Sequence, residues 1–307
     1  MAVPRAILSP LVVAIALAGA AYFSAAGTLQ KGAAAAPATI LIGQSWLGLW
    51  QDGKLVRRAN EAGWQFNAAR LSADGATVEI AAYRTGASAS GGGDAATVMR
   101  YDSRTLALLG KVRNPSAGQW QPLPPPVGTD APALPKAPAT LHIETGETLV
   151  AANAAAVLTA ALAGKDGTIL RLRLAGDGNA LGTPHRLPPG DWRAALSPDG
   201  STVAAFVRPA TAVGRAWPGE AWDGASGKAI EARGLSVDDG TLRESGAARA
   251  LACLLPHGQG AIFTYVGAPA DRYSEYESFG PGTGPAVRLD TPYVMSCLAA
   301  AGAGIHR

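Results

Sequence analysis

The sequence predicts an all-β fold of repeated four-stranded sheets, preceded by an N-terminal apolar helix. Three observations predict it. A hairpin with an Asp-Gly turn recurs along the chain, the recurrences keep a basic spacing near 44 residues, and the first 26 residues hold a long uncharged run. The 38 glycines and 22 prolines suit many short strands joined by tight turns.

Residues 69–84 read ARLSADGATVEIAAYR and residues 194–208 read AALSPDGSTVAAFVR. Each is a strand, a turn at Asp74-Gly75 or Asp199-Gly200, and a second strand. Aspartate and glycine tolerate the left-handed conformations that tight hairpins need. After the first turn Val78, Ile80 and Ala82 alternate with Thr77, Glu79 and Ala81, the period of a strand. A second hairpin follows in phase, VMRYDSRTLAL at 98–108 and EAWDGASGKAI at 220–230. Asp102 lies 28 residues after Asp74, and Asp223 lies 24 after Asp199.

Two weaker copies fit the same frame. Asn153 takes the turn position in residues 147–162, with Asp177 at the second hairpin. His257-Gly258 takes it in residues 252–266, with Gly280–Gly284 at the second hairpin. Leu71, Val150, Leu196, Leu254 and Leu298 then occupy one equivalent position, at intervals of 79, 46, 58 and 44 residues. The long first interval contains a Pro-rich insert, Asn114–Pro138, which reads as a loop. Four strands per unit at this spacing is the signature of a propeller blade. The expectation is a β-propeller of about five four-stranded blades, with six or seven as the alternative.

The ends of the repeat region complement each other. Thr39–Ile42, Leu47–Trp50 and Leu55–Arg58 supply three strands and no innermost one, whereas Tyr293–Ala299 starts an innermost strand alone. One blade built from both ends of the domain fills both gaps and removes exposed strand edges. In that frame Cys253 and Cys297 precede their leucines by one residue, on innermost strands of neighbouring blades.

The stretch LSPDGSTVAAF, followed by AWDGASGKAIEA, resembles the repeats of bacterial TolB-like and YVTN-type β-propellers. The resemblance is good over Trp64–Arg113 and Trp192–Gly234 and weak elsewhere. It implies architecture and not activity, because that fold hosts scaffolds, binding proteins and enzymes.

Arg5 precedes Ala6–Ala26, which carries no charge. A positive charge before an apolar run is the pattern of a secretory signal, and Ser24-Ala25-Ala26 offers a cleavage site. Twenty-one apolar residues also suffice to span a bilayer. The expected organisation is a signal peptide or inner-membrane anchor at 1–26, a low-complexity tether at 27–38 and a propeller at 39–307. The domain is then periplasmic or otherwise extracytoplasmic. There Cys253 and Cys297 read either as a disulfide or as two small apolar side chains on buried strands.

The chemistry is sparse. A net charge of +3, scattered along the chain, argues against a nucleic-acid partner. His142, His185, His257 and His306 form no metal-ligand spacing, and no nucleophile elbow or phosphate loop occurs. No metal and no cofactor is expected. Asp74, Asp199 and Asp223 read as turn formers, and Asp238-Asp239 as part of a polar insert. A propeller enzyme would need acids or histidines converging from innermost strands, where the aligned positions are Arg70, Cys253 and Cys297 among small apolar residues.

The most ligand-like stretch is DRYSEYESF, where Tyr273, Glu275, Tyr276, Glu277 and Phe279 mix aromatic and charged groups. With Trp217 these read as a partner surface, or else as an outer strand covering the blade beneath. The leading functional expectation is a non-enzymatic binding or scaffold protein of the cell envelope, with a protein or glycan partner. The alternatives are a lactonase-like or dehydrogenase-like propeller with a site in the central channel, and a purely structural propeller.

Overall fold

The computed structural model describes residues 38–300, apart from residues 73, 86–95, 115–119, 121–142, 154, 163, 210–215, 239–247, 267–272 and 283. The N-terminal apolar segment, the tether up to residue 37 and most of the Pro-rich insert lie outside the described residues.

Among the described residues twenty-one strands follow in chain order. The first three are β1 (Thr39–Gly43), β2 (Trp46–Gln51) and β3 (Lys54–Asn60). Blade 1 holds β4 (Trp64–Leu71), β5 (Thr77–Arg84), β6 (Thr97–Asp102) and β7 (Leu108–Arg113). Blade 2 holds β8 (Glu147–Ala152), β9 (Ala156–Leu162), β10 (Thr168–Leu174) and β11 (Ala180–Leu187). Blade 3 holds β12 (Trp192–Leu196), β13 (Thr202–Val207), β14 (Trp217–Asp223) and β15 (Ala229–Ile230), with β16 (Ser236–Val237) added beside β14. Blade 4 holds β17 (Ala248–Leu254), β18 (Gly260–Val266), β19 (Tyr273–Ser278) and β20 (Val287–Arg288). The last strand, β21 (Val294–Ala299), pairs antiparallel with β1 and completes a fifth sheet, β21-β1-β2-β3. Among the described residues, four antiparallel meanders in chain order and a fifth sheet that joins β21 to β1, β2 and β3 make the architecture of a β-propeller.

The repeat is reproduced at the level of single hydrogen bonds. In blade 1 the Ser72 hydroxyl donates to Asp74 Oδ1 at 2.6 Å, the Ala76 amide donates to the same oxygen at 3.0 Å, and the Thr77 amide donates to Ser72 Oγ at 2.9 Å. In blade 3 Ser197, Asp199, Ser201 and Thr202 make the same three bonds at 2.7, 3.0 and 2.9 Å. Gly75 and Gly200 hold φ of 69° and 76°, a region that glycine enters without a Cβ penalty. The second hairpins match too. Asp102 Oδ1 accepts from the amide and hydroxyl of Thr105, and Asp223 Oδ1 from those of Ser226. These bonds hold the Asp102 carboxyl below its ordinary value.

Alternation along the strands gives each sheet two buried faces. Ile40, Ile42, Leu47 and Leu49 pack with Phe66, Val78, Ile80, Met99 and Tyr101, which joins the closing sheet to blade 1. Leu158, Leu170 and Leu172 meet Val203, Ala205 and Trp222 between blades 2 and 3. Ala204, Phe206 and Trp217 meet Leu251, Leu254 and Phe263 between blades 3 and 4. Between blade 4 and the closing sheet lie Leu41, Trp46, Trp50, Ile262 and both cysteines. Trp46 Nε1 and Trp50 Nε1 are buried there without an acceptor among the described residues. An unsatisfied N–H costs about 1–3 kcal/mol, whereas burying an indole stabilises by roughly 4–6 kcal/mol at 25 cal/mol per Å². Packing therefore wins, and a Cβ on Gly43 would overlap the Trp46 indole.

One expectation about the loops is corrected. The segment after Gly234 reads as a polar insert, yet Leu235 and Val237 are buried in the core between blades 3 and 4, and β16 pairs with Trp217 and Pro218. Two apolar residues in a polar context carry no periodicity, so only the long-range pairing reveals them.

Cys253 on β17 and Cys297 on β21 are joined in a disulfide, with Cα atoms 5.7 Å apart and a sequence separation of 44. The bond ties the terminal strand to the innermost strand of the neighbouring blade. In the chain-entropy model a loop of this length contributes about 4 kcal/mol. Cys297→Ser should lower the unfolding free energy by about that amount in denaturant titration, while reducing agent should erase the difference between the two proteins.

The two matched turns make a second test. Asp74 is exposed, whereas Asp199 is fully buried. Ser197→Ala strips a bond from a buried carboxylate and should cost about 1–3 kcal/mol. Ser72→Ala should stay within about 0.5 kcal/mol of the parent in the same titration.

Candidate binding surface

The residues singled out in the sequence separate into two groups. Trp217 is 4% exposed, lies in the core between blades 3 and 4, and is covered by the Arg193 guanidinium 4.8 Å from its ring. It has no surface to offer a partner. Glu277 is also buried and forms an ion pair with Arg249 at 2.6 Å. The Tyr276 ring rests on Trp50, with centroids 4.8 Å apart, and its hydroxyl donates to the Gln259 carbonyl. Burial pushes the Tyr276 phenol up from its ordinary pKa. Trp217, Glu277 and Phe279 are buried and offer no partner surface, whereas Tyr276 is half-buried with its ring against Trp50.

Tyr273 and Glu275 are different. Antiparallel register places Tyr273 opposite Tyr265 and Glu275 opposite Phe263, and alternation puts all four on one face of blade 4. The rings of Tyr265 and Tyr273 are stacked, 4.4 Å apart and 13° from parallel. The Arg288 guanidinium lies 4.2 Å over Tyr273. The Tyr265 hydroxyl donates to Glu275 Oε2 at 2.8 Å. Burial and that bond to a carboxylate hold the Tyr265 phenol protonated well above its usual range. The tyrosines and Glu275 are half-buried, and Arg288 is exposed. A rigid aromatic pair flanked by one cation and one anion suits stacking with hydrogen bonding, the chemistry of recognition.

Arg249 is the residue that sequence reading missed. Besides Glu277 it donates to the carbonyls of Gly234 and Ser236, and its guanidinium lies 3.6 Å from the Phe263 ring centroid. It fastens the β16 segment to blade 4 behind the tyrosine pair. No local pattern announces it, because its partners lie 11 or more residues away in sequence.

His257 is likewise more than a turn residue. Its backbone is left-handed, with φ 52°, and its amide donates to Ser201 Oγ at 2.6 Å while the Gly258 amide donates to Thr202 Oγ1 at 2.8 Å. His257 Nε2 stands 3.5 Å from Asp199 Oδ2, a buried oxygen with no hydrogen-bond partner among the described residues. This contact latches the turns of blades 3 and 4. The sequence clue is its position, since His257 stands where the other copies have Asp74, Asn153 and Asp199.

The expected channel-lining positions carry other duties. Arg70 pairs with Glu79, which also pairs with Arg100, and the two cysteines are bonded to each other. Blade 2 repeats the motif of one carboxylate between two arginines. Glu147, its side chain 2% exposed, pairs with Arg171 at 2.6 Å and Arg173 at 3.1 Å. Among the described residues no three His, Cys, Asp or Glu side chains gather as a metal site.

No protein-family model matches this chain, and no curated protein matches it. Solved structures show some similarity to it. TolB from Acinetobacter baumannii matches at 11% identity and a TM-score of 0.26, over 90% of this chain and 57% of that one. A putative 6-phosphogluconolactonase from Bacteroides fragilis matches at 12% identity and 0.29, over 86% and 98%. The β-propeller domain of the Trilobed protease from Pyrococcus furiosus matches at 10% identity and 0.25, over 82% and 79%. At TM-scores this low the likenesses carry no argument, and the fold rests on the strand pairing itself.

Burial works to raise the Glu147 pKa, but bonds from Thr159, Arg173 and Arg171 and the charge of Arg173 outweigh it and hold the carboxyl below its ordinary 4.5. A depressed folded-state pKa stabilises fully above the unfolded value and loses that contribution as pH falls through the folded one. Stability should therefore fall as pH drops below 4.5. Glu147→Gln should be less stable at neutral pH and flatten this acid limb, read from urea midpoints across the range.

Proposed function

We propose that the chain is an exported, non-enzymatic binding propeller of the TolB-like or YVTN-type pattern, whose partner is a protein or glycan of the cell envelope. The observation that carries the reading is the half-exposed Tyr265–Tyr273 stack with Glu275 and Arg288 at its edges. Large, stiff aromatic surfaces bind at low entropic cost, and tyrosine and arginine are enriched among residues that dominate interfaces. The Tyr265 hydroxyl donates its hydrogen bond to Glu275, which leaves its oxygen to accept one from a partner.

Export is supported by two features. The Arg5–Ala26 pattern matches a signal or anchor, and a disulfide that ties the terminal strand persists in oxidising compartments. The buried acid–arginine groups support a structural role for most of the charged residues, since each carboxylate faces guanidinium groups of its own blade.

Retention of envelope components on the immobilised protein tests the reading. Tyr273→Ala should weaken retention of the bound component by about thirtyfold, the scale of an interface hot spot, while loss of the ring stack costs only about 1 kcal/mol of stability and leaves the protein folded. Equal retention by parent and variant would contradict the assignment of this patch.

A further inference from the structure

Among the described residues six large aliphatic side chains are exposed, and four of them fall on two outer strands. Val56 lies on β3, and Leu108, Leu109 and Val112 lie on β7, at 45–61% exposure. These strands are the outer edges of the closing sheet and of blade 1, whose faces share one apolar core. The Arg57 guanidinium bridges them, donating to the Thr105 carbonyl in the turn before β7 at 2.9 Å.

The same rim is basic. β3 carries Lys54, Arg57 and Arg58, the turn carries Arg104, and β7 carries Lys111 and Arg113, all exposed. The acids beside them are Asp52, Glu61 and Asp102. Glu61 is engaged by Lys111 at 2.6 Å, and Asp102 by Thr105. Six cations against three anions leave a local charge of +3. The contrast with the rest of the ring is sharp. Described residues 143–300 hold ten Lys or Arg against thirteen Asp or Glu. Basic side chains with long aliphatic stems, set among exposed leucine and valine, match a surface that is anionic outside and apolar beneath.

We infer that the outer rim formed by β3 and β7 docks on an anionic phospholipid bilayer surface. The aliphatic side chains enter the headgroup boundary while the cations meet lipid phosphates. The tether leads directly into β1, of the same sheet as β3. This docking surface is separate from the tyrosine patch on blade 4 and does not depend on its partner.

Hydrogen exchange on the full chain, with vesicles, tests it. Phosphatidylcholine vesicles, alone or mixed with phosphatidylglycerol, separate rim docking from insertion of the apolar N-terminal run, which enters either bilayer. The expected result is slowed amide exchange in Lys54–Asn60 and Leu108–Arg113 with the anionic mixture only, reversed by high salt. Lys54→Gln and Arg113→Gln each remove one exposed cation and should weaken the effect by roughly fivefold. Leu109→Ser should weaken it further while the free protein unfolds as before. Equal protection on both lipids, protection on neither, or full protection in the Lys54→Gln, Arg113→Gln double variant would overturn the inference.

Discussion

The structure depends on the pairing of β21 with β1. Four sheets laid in chain order leave three strands at one end and a lone strand at the other. Each would expose unpaired backbone groups and a bare apolar face. Five register pairs between Thr39–Gly43 and Val294–Ala299 satisfy both ends at once. The Cys253–Cys297 bond then holds the same strand against blade 4. The apolar clusters on either side of the closing sheet presuppose that this sheet is whole.

A single turn design serves two different purposes in this ring. Ser72-X-Asp74 and Ser197-X-Asp199 make matching hydrogen bonds, so the local sequence sets the turn. Context sets its energetic weight. Asp74 faces water, while Asp199 is sealed beneath the His257 turn. The sealed copy links neighbouring blades, with Asn153 reaching Ser197 from blade 2 and His257 reaching Ser201 from blade 4. A repeat thereby becomes an interlocked face through a few substitutions at turn positions.

The hairpins were legible in the sequence because their determinants are local. Asp-Gly turns, period-two alternation and an aspartate at the end of the third strand all lie within a few residues of one another. The shared terminal blade was legible for a topological reason, since three strands at one end and one at the other must combine. What escaped was set by long-range register. Trp217 looks like an exposed aromatic in GRAWPGE until β16 folds over it. Within DRYSEYESF, pairing with β18 and packing of the blade faces against their neighbours decide that Glu277 is buried while Tyr273, Glu275 and Tyr276 stay half-buried. The arginine partners of Glu147 and Glu277 lie 24 to 28 residues away, beyond any local pattern.

Native-state amide exchange on the oxidised protein tests the closure most directly. If β21 completes the fold, its amides paired with β1 exchange only through global unfolding, at the same free energy as those of the central strands β13 and β18. Exchange of β21 at the faster rate of the short outer strands β15 and β20, while β13 and β18 stay protected, would contradict the account.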